Sequence, residues 1–102
     1  MIEYVVGKID DIRPGSAVAV QAGHRVIAVF RLGEKFFAVN NTCPHKGASL
    51  CDGEIVMEDK VVRCPWHHWN WRLADGTLES DPRQRLRTYE VAVEGDEVIL
   101  RA

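Results

Sequence analysis

Long apolar runs are missing from this chain of 102 residues, and so is any sustained helical period. No stretch approaches the roughly 20 apolar residues that a membrane-spanning helix requires. The N-terminus Met1-Ile2-Glu3-Tyr4-Val5-Val6 lacks the charged segment and apolar run of a secretory leader, so a cytoplasmic protein with no membrane partner is expected. Neither sign of charge is in excess. Thirteen Lys and Arg face fifteen Asp and Glu, which leaves no basic stripe for nucleic acid and no acidic tail. Cysteine is scarce, and the three present, Cys43, Cys51 and Cys64, are an odd number that suits no disulfide framework. Repeats and low-complexity linkers are absent too. A chain this short supplies one modest core, so residues 1–102 are expected to form a single domain.

What is present is a succession of short β-branched and aromatic runs cut by turns. Tyr4 to Ile9 is broken by Arg13-Pro14-Gly15-Ser16, and Ala17 to Gln21 turns through Gly23-His24 into Arg25 to Leu32. Gly33-Glu34-Lys35 reads as a hairpin loop leading to Phe36 to Val39, and Leu86 to Val93 turns at Glu94-Gly95-Asp96 into Glu97 to Leu100. Punctuation at roughly eight to twelve residues predicts an all-β antiparallel sandwich or barrel. The middle differs. From Asn40 to about Pro82 lie all three Trp and three of the four Pro. There, Lys60 to Arg63 and Trp69 to Leu73 read as short strands, and Asp75-Gly76 as a turn. This segment, approximately 40–82, is expected to be a small metal-holding subdomain inserted in a β scaffold.

Two short ligand pairs carry that expectation: Cys43-Pro44-His45 and, after eighteen intervening residues, Cys64-Pro65-Trp66-His67. One Cys-x-His alone would signify little. Two mixed pairs, each beginning Cys-Pro in a turn-rich stretch, offer two thiolates and two imidazoles. That set serves one tetrahedral zinc or two irons bridged by sulfide. Zinc fingers usually run Cys…Cys then His…His with the histidines on a helix, whereas here the order alternates and no helix is evident. The donor set favours iron–sulfur and leaves a zinc-binding structural or interaction module as the rival.

Cys43-Pro44-His45-Lys46-Gly47-Ala48-Ser49-Leu50 and Cys64-Pro65-Trp66-His67 resemble the two boxes of Rieske [2Fe–2S] proteins. Trp69-Asn70-Trp71 and Asp75-Gly76-Thr77-Leu78 are similar to the residues just beyond the second box in that family, and the resemblance spans essentially the whole chain because the family domain is about this long and all-β. It implies the all-β Rieske fold with one [2Fe–2S] cluster, Cys43 and Cys64 on the buried iron, and His45 and His67 on the outer one. The family pattern Cys-x-x-His favours His67 over the adjacent His68, which stands where soluble members commonly have Gly. The resemblance also implies an electron carrier rather than an enzyme. Such a carrier works between a flavin- or NAD(P)H-dependent reductase and a terminal oxygenase or other oxidoreductase. The small subunit of an assimilatory NAD(P)H nitrite reductase is the alternative, towards which Pro44 and Lys46-Gly47 lean.

Respiratory Rieske proteins carry an extra cysteine in each loop and Ser and Tyr donors after the last ligand. The matching positions here are Ala48, Trp66, Trp69 and Trp71. Fewer donors to sulfur imply a low potential, about −150 mV rather than about +300 mV. The resemblance places the added electron on the His-ligated iron, which makes the edges of His45 and His67 the port and implies a potential that falls at alkaline pH. Lys46, His68, Trp69 and Asn70 are the candidate partner contacts beside it. Trp71 is expected to be buried, Cys51 to be a small buried residue, and Arg83, Arg85 and Arg87 to alternate along a solvated edge.

Overall fold

The computed structural model describes residues 2–42, 49–65 and 69–102. Eleven strands form two antiparallel sheets among them. The first sheet takes β1 (Glu3–Lys8), β2 (Ala17–Ala22), β3 (Arg25–Leu32) and β4 (Lys35–Asn40) from the N-terminal part. The second sheet is built from β5 (Glu54–Val56), β6 (Val61–Arg63), β7 (Asn70–Arg72), β8 (Thr77–Leu78) and β9 (Asp81–Arg85). The chain then returns through β10 (Thr88–Glu94) and β11 (Glu97–Arg101) to complete the first sheet in the order β1-β11-β10-β4-β3-β2. The second sheet runs in simple sequence order. Only two single-turn 3₁₀ segments, Ile9–Asp11 and Leu50–Asp52, are helical among the described residues.

β3 shows how the two halves are joined. Its residues Ile27 to Phe30 are all fully buried, yet they serve different cores by alternation. Ile27 and Val29 pack with Ala22, Ala38 and Leu100 inside the curled first sheet, where Tyr4 and Val6 of β1 meet Val20 of β2. Residues from both edge strands share this interior, which gives the sheet its nearly closed barrel form. Ala28, Phe30 and Leu32 face the other way and pack with Val62, Cys64, Trp71, Leu73 and Leu78 of the second sheet. A continuous apolar run on a short strand is the pattern of a strand covered on both faces.

Gly33 and Gly95 stand in the left-handed region at the tips of the β3–β4 and β10–β11 hairpins (φ 63° at each), which explains the two-residue turns there. The expected strands thus appear with their ends displaced by one or two residues. β5 was not expected from the sequence: Glu54-Ile55-Val56 is too short to show an alternation, and it is ordered by pairing with Val61–Arg63.

Candidate metal centre

The first ligand stretch leaves the first sheet at the end of β4. Thr42 and Ser49 form an isolated antiparallel bridge, so the chain positions flanking 43–48 stand side by side. Asn41 anchors them. It is the one buried polar side chain among the described residues, 8% exposed. Its Nδ2 donates to Ser49 Oγ at 2.9 Å, and its Oδ1 accepts from the Cys51 backbone N–H at 2.9 Å. Its own N–H donates to the Val26 carbonyl, and its carbonyl accepts from Leu50 N–H at 2.7 Å. All four polar groups of one residue therefore tie β3, Ser49 and the 3₁₀ turn together.

The second stretch leaves the second sheet between β6 and β7. Cys64 N–H donates to the Trp69 carbonyl at 2.8 Å, so this stretch too is closed at its base. Cys64 is fully buried, in the same cluster as Leu50, Val62 and Trp71, with Cys51 and Trp69 packed against it. The feet of both stretches thus rest on one apolar patch at the junction of the two sheets. Gly53 lets them approach: a Cβ there would run into the Arg63 carbonyl.

Of the residues picked from the sequence, Cys64, Trp69 and Asn70 are placed, while Cys43, His45, Lys46, His67 and His68 lie outside the described residues, as do Ala48 and Trp66. Trp71 is fully buried, with its ring 6.5 Å from that of the half-buried Trp69. Asn70 is half-buried and its amide is engaged at both ends. Oδ1 accepts from Arg63 Nε at 3.1 Å and Nδ2 donates to Glu79 Oε1 at 3.4 Å, while Arg63 also pairs with Glu54 at 3.1 Å. Cys51 corrects an expectation. It is half-buried, with its thiol 3.2 Å from Ser49 Oγ, because the 3₁₀ turn points Leu50 inward and leaves its neighbour at the rim. The anchoring roles of Asn41, just before the first box, and of Ser49, near its end, were not foreseen; the only signal was a polar residue at each of those positions.

The second turn beyond the site is fixed by Asp75, whose Oδ1 accepts from Thr77 N–H at 3.0 Å and from Thr77 Oγ1 at 2.7 Å. Those bonds, the backbone one first, hold the Asp75 carboxyl below its ordinary range. Arg83 and Arg85 lie exposed on β9, the edge strand of the second sheet, as expected, and Arg83 there forms an ion pair with Asp81 at 2.9 Å; Arg87, also exposed, lies just beyond that strand.

The residues present fit an iron–sulfur centre. A buried cysteine at the foot of a closed turn offers a thiolate shielded from water. Trp71 Nε1, in the same cluster, is buried and has no hydrogen-bond partner among the described residues. A donor of this kind calls for an acceptor beyond those residues, and sulfide or thiolate sulfur is one.

An antiparallel two-sheet scaffold in which the feet of two cysteine–histidine stretches of the sequence share one buried patch fits an iron–sulfur protein of the [2Fe–2S] class. The chain belongs to the Rieske [2Fe-2S] domain family, whose model matches residues 2–90, and its cofactor is a [2Fe–2S] cluster of that type. It is 34% identical over 91 residues to the ferredoxin component of biphenyl 2,3-dioxygenase from Rhodococcus jostii (strain RHA1), covering 88% of this chain and 83% of that one. It superposes on the ferredoxin of carbazole 1,9a-dioxygenase from Nocardioides aromaticivorans IC177 with a TM-score of 0.91 at 26% identity, covering 98% and 97% of the two chains. A Mycobacterium tuberculosis protein described as an NADH-dependent nitrite reductase small subunit matches with a TM-score of 0.89 at 25% identity, over 97% of this chain and 93% of that one. This chain is also 31% identical over 102 residues to Apoptosis-inducing factor 3 of Mus musculus, with 99% of it spanning only 16% of the relative's length.

Proposed function

We propose that this chain is a Rieske-type ferredoxin, carrying single electrons from a flavin- or NAD(P)H-dependent reductase to a terminal oxygenase or other oxidoreductase. The observation that carries the reading is the burial of Cys64 on the patch shared with Leu50, which brings the feet of both ligand stretches together. The likeness to two dioxygenase ferredoxins over nearly their whole lengths supports it.

In this reading Cys43 and Cys64 supply the thiolates and His45 and His67 the imidazoles. The bound cluster supplies a one-electron store. The chain's residues do the rest: Asn41 holds the foot of the first stretch, the Cys64–Trp69 bond closes the second, and Leu50, Val62 and Trp71 keep water from the buried side. Lys46, His68 and Trp69 are assigned to the partner-facing rim. Asn70 is assigned to the Arg63–Glu79 bridge that stiffens the second stretch. The whole of 1–102 acts as one carrier domain, with residues of about 40–82 forming its cluster-binding part.

The test is electron paramagnetic resonance on anaerobically purified protein. A signal that appears only after dithionite, with an average g below that of all-cysteine [2Fe–2S] ferredoxins, is expected. Zinc at one equivalent, with no iron or sulfide after reconstitution, would overturn the reading. The M. tuberculosis likeness and the Lys46-Gly47 pair favour a second reading, a nitrite reductase small subunit; stable co-purification with a large subunit would select it.

A further inference from the structure

Resting on the carrier reading, we propose that Arg25, Arg87 and Tyr89 form a basic docking surface beside the first ligand stretch, which receives an acidic patch on a protein redox partner.

The two guanidinium groups share one aromatic ring. Arg25 Cζ lies 5.8 Å and Arg87 Cζ 5.3 Å from the centre of the Tyr89 ring. Arg25 NH1 also donates to Tyr89 Oη at 3.3 Å, and Tyr89 Oη in turn donates to Asn40 Oδ1 at 2.9 Å. Asn40 N–H donates to the Arg87 carbonyl at 3.0 Å, which fastens the far side. Asn40 is three residues before Cys43 in the chain, so this group is built onto the strand end that leads into the site. Arg87 is exposed, and it lines a shallow cleft of about 370 Å³ with Arg85 and Thr88.

The feature that calls for a partner is the unbalanced charge. The carboxylates nearest along β10 are used on its other edge, where Glu90 and Glu94 join Glu3 on Arg101. Asp81 is taken by Arg83. No described carboxylate comes within ion-pair distance of Arg25, Arg85 or Arg87. Arg85 has Asp75 as an electrostatic neighbour and donates to its carbonyl at 3.4 Å, so the charge left without a described carboxylate is that of Arg25 and Arg87, which a chain of formal net charge −2 carries on one flank of its site. The planar guanidinium matches carboxylates in paired hydrogen bonds, and the tyrosine keeps the arginines in place before a partner arrives. Local charge of this kind governs approach and orientation, whatever the sign of the total.

The experiment uses the reconstituted full chain and its Arg25→Gln/Arg87→Gln variant, with poly-L-glutamate as the acidic polypeptide probe. Binding is read by tryptophan fluorescence or calorimetry on the oxidised protein. In parallel, dithionite-reduced protein freed of excess reductant is oxidised by ferricyanide, one electron passing to give ferrocyanide. Native protein is expected to bind the polymer and to be oxidised several-fold more slowly as ionic strength rises from about 0.01 M to about 1 M, as screening removes attraction. The variant should lose at least tenfold in polymer affinity and most of that salt dependence, while an Arg25→Lys/Arg87→Lys variant keeps the salt dependence. If the double variant does not fold, Arg87→Gln alone, at an exposed position, gives the same comparison. Equal polymer binding by native protein and the Gln variant would overturn the proposal, as would a native rate that climbs with salt as the net charge dictates. Free glutamate competing as well as the polymer would also overturn it, by showing a small-anion site. Reduced protein that gives up no electron to ferricyanide or to hexaamminecobalt(III) would sink the carrier reading itself, and this proposal with it.

Discussion

Replacing Asn41 by Ala tests whether the first ligand stretch is held by a single buried amide. The substitution removes the acceptor of Cys51 N–H and the donor to Ser49 Oγ, both at 2.9 Å, and leaves the backbone bonds to Val26 and Leu50 in place. Cys51 N–H is then a part-buried donor with no acceptor, a loss of about 1–3 kcal/mol, and the second bond adds about 0.5–1.5 kcal/mol. Ser49→Ala removes the second bond and the 3.2 Å contact of its Oγ with the Cys51 thiol but keeps the Cys51 N–H bond, and should lose about 1 kcal/mol. Because a bound cofactor spoils simple two-state analysis, the readout is the rate at which the visible absorbance bleaches at fixed temperature, with far-ultraviolet circular dichroism followed in the same cell. Asn41→Ala should bleach markedly faster than Ser49→Ala, by about tenfold for each 1.4 kcal/mol that separates them at the barrier. The double variant should cost less than the two single changes added together, since they share one bond. Asn41→Ala bleaching within about twofold of native protein, near the ±0.5 kcal/mol typical of neutral surface changes, would refute the anchor.

Two further perturbations probe the same frame. Gly53→Ala should be destabilising by well over 1 kcal/mol, because its Cβ meets the Arg63 carbonyl and forces the feet of the two stretches apart; thermal unfolding of the loaded protein checks it, and a melting temperature unchanged within error would count against the close approach. Asp75 should titrate below its ordinary value of 3.8, as it accepts two bonds from Thr77. A carboxyl whose folded value is depressed stabilises the fold above its unfolded value, and that contribution disappears as pH falls through the folded one. Carbon-detected titration of the Asp75 carboxyl should therefore show the depression in native protein and a smaller one in Thr77→Ala, which loses the hydroxyl bond but keeps the backbone N–H bond that contributes most.

The first sheet was legible because its strands are long enough to show as β-branched and aromatic runs, as Arg25 to Leu32 does, and because Gly33 and Gly95 mark hairpins whose backbone needs φ > 0. The second sheet was only partly so. Strands of two or three residues, such as Thr77–Leu78 and Glu54–Val56, have no periodicity to read; they exist because neighbours already in place supply their hydrogen bonds. At the site, cysteine and histidine announce themselves by type and spacing, since few other chemistries need that combination. Asn41 does not, because asparagine before a turn is ordinary. Its importance comes from burial, which depends on how Val26, Ser49 and Cys51 meet around it. Cys51 was misjudged for a related reason: free cysteine is usually buried, but a 3₁₀ turn presents Leu50 and Cys51 to different surroundings.

The division of labour between the two sheets explains why the site is built where it is. A site that takes up and releases an electron without rearrangement needs anchors that do not move with its surface loops. Here one stretch is fastened to β4 through Asn41 and the other to β6 and β7 through Cys64 and Trp69, so neither sheet alone could hold both. What couples them is the core that β3 sends into the second sheet, Ala28, Phe30 and Leu32 against Val62, Trp71 and Leu78, with Leu50 and Cys64 at its upper end. Relative movement of the sheets would therefore open that core before it separated the ligand feet, and burial on the order of 1.5–3 kcal/mol per large apolar side chain resists it. The rim can vary under this arrangement, because charges such as Arg25 and Arg87 hang on strand ends outside the coupled core. On the proposed docking surface, partner choice would thus rest on different residues of one short chain from those that anchor the site.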